Sequence, residues 1–457
     1  MKVKIQIYLL LTEKQFTNQQ HIIGIINNYE LVLFAVPRNY TPALHPFEAA
    51  REYKRALNAV KLDRVYAKPF VGCLEGHKDG VSCIANHPTH LSCLFSGACD
   101  GEVRIWNLPR RVCENKFLAH DGIVRGITFD ENADHFLTIG DDKTIKTWKT
   151  NEPLIGEEKE PVNTIISKTI LTGISHQRKR SMFATCGEVC QIWEETRNEP
   201  INTYKWGVDG LQDIKYNPVQ KNLLATCASD CSIILYDTRD TGPLRRVVLE
   251  LRTNKLSWNP MEAMTFTCAN EDYNLYTFDI RQLRTAVNVH KDHISAVMDV
   301  DYAPTGKEFV SGSYDKSIRI FEADKGHSRE IYHTKRMQRL TTVVWSLDNK
   351  YILSGSDEMN IRLWKARASE KLGVLKPREK TALRYSGALK EKFAAHPQVL
   401  RIARHRQVPK HIYYGRTELN TIHETSQRKE ANRRAHSKPG TVPFVPERRK
   451  HIVREDF

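Results

Sequence analysis

The chain lacks an apolar run of 18 residues, so no transmembrane helix is expected. Its start, MKVKIQIYLLL, joins two lysines to a short apolar run. Thr12, Glu13 and Lys14 follow directly, with no small-residue cleavage site, so a cleaved leader is not expected either. None of the ten cysteines lies in a CxxC pair. Cys186/Cys190 and Cys227/Cys231 are spaced more widely, and no second pair or His cluster completes a zinc site. All ten cysteines fall in or beside β-rich stretches, where a reduced thiol behaves as a small apolar side chain, and this points to a reducing compartment. A P-loop, a GxGxxG after a strand, an HExxH and a GxSxG are all missing. No catalytic residue, cofactor or metal is therefore assigned, and the chain is expected not to be an enzyme. His87, His90, His176 and His333 read as loop or surface residues.

Acidic charge is scarce in one place only. Residues 366–457 carry 22 Lys and Arg against 9 Asp and Glu, of totals of 69 and 54. Most of the formal charge of +15 thus sits in the last fifth of the chain, and the body is close to neutral. A concentrated basic segment suits a polyanionic partner, although a solvated charged helix has the same composition.

What the chain does have is a repeat. An aromatic residue ends a β-rich run at Trp106, Trp148, Trp193, Tyr236, Phe278, Phe321 and Trp364, at spacings of 42, 45, 43, 42, 43 and 43. This is the roughly 40–45-residue period of WD-repeat blades, four strands each. Six residues before the aromatic stand Asp100, Asp142, Asp230, Asp272 and Asp315. Ten before it stand Ser96, Thr138, Thr226, Ser311 and Ser354, and about 28 before it stand His77, His120 and His293. Two blades hold the whole set: His77, Ser96, Asp100 and Trp106, then His120, Thr138, Asp142 and Trp148. A His–Ser/Thr–Asp–Trp hydrogen-bond chain satisfies polar groups buried inside a blade. Its recurrence argues for a structural role rather than a catalytic triad. Blade three looks weak, with Gly187 at the Asp position and no matching His. Blade seven has its Asp one residue early, at Asp357, which suggests a turn one residue longer.

The fold expected is all-β: a seven-bladed WD-repeat β-propeller with a basic, mainly helical C-terminal extension. Residues 1–64 form an N-terminal extension, 65–366 the propeller and 367–457 the tail. Val65–Leu74 reads as a lone strand that completes blade seven and closes the ring, removing its open edges.

Outside the ring, residues 36–46 read as extended and Pro-punctuated. Phe47–Lys61 reads as a helix with Phe47, Tyr53, Leu57 and Val60 as apolar contacts. Pro377 opens a second helix with Ala382, Tyr385, Leu389 and Phe393 on one face, stopped by Pro397. A third runs from about Glu418 to Ala435. Arg401, Arg404, Arg406, Lys410, Arg433, Arg434, Arg448, Arg449 and Lys450 are the candidate phosphate contacts of the tail. No RNP-type stacking motif is present, so base-specific readout is not expected.

Several phrases are distinctive: SGACDGEVRIWNL (96–108), APTGKEFVSGSYDKSIRIF (303–321), VPRNYTPALHPFEAAREYKRALNAVKLDRVYAKPF (36–70), RIARHRQVPKHIY (401–413) and HSKPGTVPFV (436–445). Together they resemble the WD-repeat and SOF-domain protein family over about residues 36–457. Residues 5–35 depart from it. The resemblance implies a nucleolar component of the small-subunit processome, acting with a box C/D small nucleolar ribonucleoprotein in processing of small-subunit ribosomal RNA. It also implies, for animal members, a substrate receptor of a cullin-RING ubiquitin ligase. Such receptors use an aromatic–Asp–x–Arg sequence, found here as Tyr236-Asp237-Thr238-Arg239 and Phe278-Asp279-Ile280-Arg281. Asp237, Arg239, Asp279 and Arg281 are thus candidate adaptor contacts, or the arginines simply pair with neighbouring acids. No membrane partner is expected.

Overall fold

The computed structural model describes residues 21–27, 30–36, 41, 44, 47–150, 159–205, 207 and 210–456. Most of the extended segment expected at 36–46 lies outside these residues. The strands His21–Asn27 and Glu30–Val36 pair as an antiparallel hairpin.

Residues 70–365 form seven antiparallel sheets; six join their four strands in sequence order, and the seventh takes three consecutive strands from 340–365 and its fourth from the N-terminal side. Each blade is a run of β-branched and aromatic residues interrupted by Asp/Gly turns, the composition of a pleated, buried surface. The seven repeat aromatics all fall in the third strand of their blade and are at most 3% exposed. The apolar core is divided among seven clusters, and every cluster straddles two consecutive blades. Phe95, Phe117, Phe136 and Trp148, for example, fill the seam between blades one and two. No blade buries its faces alone, which is why the array is stable only when closed.

Closure comes from the N-terminal side. Phe70–Leu74 pairs antiparallel with Ile361–Lys365 and completes blade seven. The Phe70 ring meets Trp364 at 5.5 Å, and Lys365 N donates to Pro69 O at 2.8 Å. The strand is shorter than expected: Val65 is instead the last residue of helix α1, Glu48–Val65.

Blade three has all four strands, and its hydrogen-bond set lacks the His and the Asp, as the sequence indicates. Its hairpin is two residues shorter, so Trp193 Nε1 donates to Thr185 Oγ1, eight residues back, at 2.9 Å. In blade one the matching bond reaches ten residues back, from Trp106 to Ser96 at 2.8 Å. Blade seven has no longer turn: Gly355 pairs with Ile361, as Gly97 pairs with Val103 in blade one. Glu358 stands at its Asp position and holds Arg362.

The chain divides into two compact units, 1–66 with 371–403 and 67–370 with 404–457. The tail residues expected as one domain at 367–457 contribute to both units. In the first unit, α1 packs on α2 (Pro377–Lys392) and α3 (Pro397–Arg404). Tyr53 stacks against His396 at 4.4 Å and donates to Gln398 Oε1 at 2.5 Å. Lys390 and Lys392 pair with Asp63 and Glu52. Ala56, Val60, Leu389 and Val399 are buried, whereas Phe47 and Tyr385 are largely exposed. The preceding helix ends at Lys392, short of Pro397, and Pro397 instead opens α3, because a proline fits the first turn where no N–H is needed.

In the second unit, α4 (Lys410–Ala435) starts eight residues before the expected point. After the short α5 (Glu447–Lys450), the strand Ile452–Asp456 joins blade four as a fifth strand beside Pro243–Leu249.

Candidate interaction surfaces

The recurring His–Ser/Thr–Asp–Trp set is whole in blade two. His120 Nε2 meets Thr138 Oγ1 at 2.8 Å, Trp148 Nε1 donates to the same oxygen at 2.9 Å, and His120 Nδ1 lies 3.0 Å from Asp142. Burial pushes the His120 imidazole below its ordinary value, against the pull of Asp142. Blade six repeats the chain with His293, Ser311 and Asp315 at 2.7 and 2.9 Å, with Phe321 in place of the tryptophan. Burial opposes ionisation of Asp315, but His293 and the Ser317 hydroxyl bring its carboxyl down to about 2.

Blade one is broken where the sequence read it as complete. His77 Nε2 reaches Ser96 at 2.6 Å, but His77 Nδ1 is buried without a partner among the described residues. Asp100 instead accepts from the Glu102 N–H at 3.0 Å, an ordinary turn cap. Blades five and six share a chain the repeat pattern does not contain: Tyr302 of blade six and Thr267, Thr277 and His290 of blade five connect at 2.6, 2.8 and 3.0 Å, ending on Lys325 O of blade six at 2.7 Å. The hydroxyls of these sets, Ser96, Thr138, Ser311 and Thr267, are all fully buried. They hold blades together and present no nucleophile to solvent.

A cavity of about 370 Å³ is lined by first-strand residues of all seven blades, and so lies on the ring axis. Asp299 Oδ2 accepts from Thr342 and Val343 of blade seven and lies 3.2 Å from Lys255 of blade five. Asp213 accepts from the Leu256 N–H, and Asp301 from the Trp345 N–H. Burial pushes the Asp301 carboxyl up to about 7 and raises Asp213 as well. Burial works against the Lys255 ammonium, but Asp299 and Asp213 outweigh it and raise its value. These groups tie inner strands of different blades to one another.

The two aromatic–Asp–x–Arg sequences end the third strands of blades four and five. In each, the Asp carboxylate accepts the Arg backbone N–H, at 3.0 Å for Asp237–Arg239 and 2.9 Å for Asp279–Arg281. The two sites adjoin, since Arg245 of blade four donates to Ile280 O at 2.9 Å. Both arginines are exposed. The Arg239 guanidinium lies against the Asn222 side-chain amide at 2.6 and 2.7 Å. That of Arg281 makes no hydrogen bond or ion pair among the described residues.

The tail cations separate into used and unused. Arg406, expected to face phosphate, donates to Arg329 O at 2.6 Å and sits 3.8 Å from Glu330. Arg434 lies over the Phe444 ring at 4.8 Å, and Lys450 pairs with Glu430 at 2.8 Å. Arg401, Arg404, Lys410, Arg433, Arg448 and Arg449 are exposed. The first turns of α4 dock on blade six: Ile412 is fully buried, His411 Nε2 meets Asp315 O at 3.3 Å, and Arg416 pairs with Asp292 at 3.1 Å. Its last turns stay exposed and are braced by α5 through Gln427–Glu447 and Lys450–Glu430. Arg433 thus shares one end of the helix with Arg448 and Arg449, which no linear reading of the tail brings together.

His176, read as a loop or surface residue, ends the strand Gly173–His176 with only 5% of its side chain exposed. His87 is likewise buried and accepts from the N–H of His90 at 3.0 Å.

Residues 366–452 match the Sof1-like domain, and residues 68–107, 111–149, 284–322 and 326–365 match the WD domain, G-beta repeat. The "DDB1- and CUL4-associated factor 13" of Danio rerio is 59% identical over 419 residues, covering 92% of this chain and 94% of its own length. The protein of the same name from Homo sapiens is 58% identical over 428 residues, 94% of this chain and 96% of its own. "Protein SOF1" of Saccharomyces cerevisiae is 44% identical over 441 residues, 92% of this chain and 90% of its own. The Sof1-like match covers the helices and the short α5 that follow the ring, and the relatives align with nearly the whole chain. The chain belongs to the family of WD-repeat propellers that carry a Sof1-like C-terminal domain.

Proposed function

We propose that the protein is a non-enzymatic scaffold of the nucleolar small-subunit processome, needed for small-subunit ribosomal RNA processing. Its partners are processome proteins and the box C/D small nucleolar ribonucleoprotein, with pre-ribosomal RNA reached through the tail. The observation that carries this reading is the construction of the Sof1-like segment. It is anchored on blades four to six by Arg406, Ile412 and the strand Ile452–Asp456. The same segment leaves Arg433, Arg448 and Arg449 exposed at one end of α4. An anchored cationic element on a near-neutral ring suits a protein that docks on proteins and meets phosphate at a defined place. Depletion tests it: precursors of small-subunit ribosomal RNA should accumulate while the large-subunit RNA matures. Unchanged small-subunit maturation would refute the reading.

A second role, substrate receptor of a cullin-RING ligase, is favoured by one specific feature. Arg281 is exposed and, among the described residues, unpaired, beside an Asp that fixes its backbone and next to the similar Asp237/Arg239 pair. An Arg239→Ala/Arg281→Ala variant should lose capture of the ligase adaptor while keeping its melting temperature. Undiminished capture would remove this role.

A further inference from the structure

Three ligand-bearing side chains converge at the seam between blades two and three, outside every hydrogen-bond chain described above. Asp130 follows the first strand of blade two, His176 ends the first strand of blade three, and Glu195 follows its third strand. His176 Nε2 lies 2.7 Å from Glu195 Oε1 and 3.9 Å from Asp130 Oδ1, and the three ligand atoms are within 4.8 Å of one another. Among the described residues no other group of three or more His, Cys, Asp or Glu side chains is placed this way.

The site is built rather than superficial. The side chains are 5%, 13% and 26% exposed for His176, Asp130 and Glu195. Their backbones are held in the ladder: Asp130 N donates to His135 O at 3.1 Å, Glu195 N donates to Ser181 O at 3.2 Å, and His176 pairs with Phe183. Two carboxylates sharing so little solvent repel one another. A divalent cation between them would neutralise both. Donors at roughly 2.0–2.2 Å from one ion lie at most about 4.4 Å apart, so a small rotation of Asp130 completes the set. One imidazole and two carboxylates suit a borderline first-row ion, zinc before magnesium or calcium.

We propose that Asp130, His176 and Glu195 form a zinc-type divalent-cation site that ties blade two to blade three. Blade three is where such a tie counts, because its own hydrogen-bond chain lacks both the His and the Asp of blades two and six.

The test uses the purified full chain, stripped with a chelator and titrated with Zn²⁺ by calorimetry, with its metal content measured before stripping. One saturable zinc per chain is expected, with a zinc-dependent rise in melting temperature. Asp130→Asn and Glu195→Gln should each weaken zinc at least tenfold and abolish that rise. Glu195→Gln keeps its shape and a partner for His176, so folding can be checked by circular dichroism. Cobalt substitution covers the case of a variant that does not fold: ligand-field bands without a thiolate charge-transfer band place the ion on this set and not on a cysteine. No saturable zinc uptake, a thiolate band, or folded variants that bind zinc as well as the parent would overturn the proposal.

Discussion

Val248, in the outer strand of blade four, pairs with Arg454 in the last strand of the chain. The end of the tail therefore belongs to the ring's β-structure. Ile452 packs against the seam between blades four and five. Glu455, only 6% exposed, holds Arg284 at 3.0 Å. Deleting residues 452–457 removes this strand and uncovers the blade-four edge. We expect a loss of about 2–4 kcal/mol in chemical denaturation, from several backbone bonds and the Ile452 contact. An unpaired edge also invites association, visible by size-exclusion chromatography.

The hydrogen-bond sets make unequal demands on their aspartates. Asp142 joins a buried His–Thr–Trp chain, whereas Asp100 only caps a turn. Asp142→Ala should cost about 2–3 kcal/mol by leaving His120 Nδ1 without its carboxylate, and Asp100→Ala about 1 kcal/mol or less. Thermal denaturation of the two variants checks the order. Equal losses would mean that His77 does engage Asp100.

Acid sensitivity follows from buried imidazoles. Burial holds His77 and His290 neutral, each with its value lowered from 6.5 to about 4, with Arg104 adding to the effect at His77. Below pH 6.5 the unfolded chain takes up these protons before the folded one does. The stability is thus present above 6.5 and is lost as pH falls toward 4, by on the order of 3 kcal/mol per group. Asp301 acts oppositely: its value is raised to about 7, so it costs stability as pH rises from the ordinary carboxylate range to 7. A difference measurement separates them. His290→Gln should flatten the stability curve between pH 4 and 6.5 relative to the parent chain, in urea titrations at several pH values.

The tail cations should divide by function. Substituting Arg433, Arg448 and Arg449 together should lower affinity for single-stranded RNA and reduce the salt slope by about 2. Arg406→Ala should leave that slope unchanged and lower the melting temperature, because Arg406 already serves Arg329 O and Glu330. Filter binding across a salt series reads the first effect and calorimetry the second.

Much of the ring was legible because its signal is periodic and apolar. Seven aromatics at near-constant spacing marked seven third strands, and each seam needs such a residue. The closure strand was legible from its isolation before the first repeat. The broken blade-one set was not, because Asp100 has the right spacing whether or not His77 turns toward it. Blade five hid its network because Thr267, Thr277 and His290 are not at the repeat positions. Trp193 was legible, but its partner Thr185 was not, because a hairpin shortened by two residues moves Thr185 out of the ten-residue spacing while keeping the same bond. The final strand, IVRED, is too short and charged to read as β, and only its pairing with blade four makes it so. The grouping of Asp130, His176 and Glu195 is set by the packing of two blades, which linear spacing does not encode.

Co-sedimentation with large pre-ribosomal particles tests the central claim most directly, comparing the full chain with a chain ending at Ala366. The shorter chain keeps Phe70–Leu74 and all seven blades, so it should fold, with a lower melting temperature. The account predicts that the full chain travels with the particles and that the folded, truncated ring stays at the top of the gradient. A full chain absent from the particles, or a truncated ring that still enters them, would contradict it.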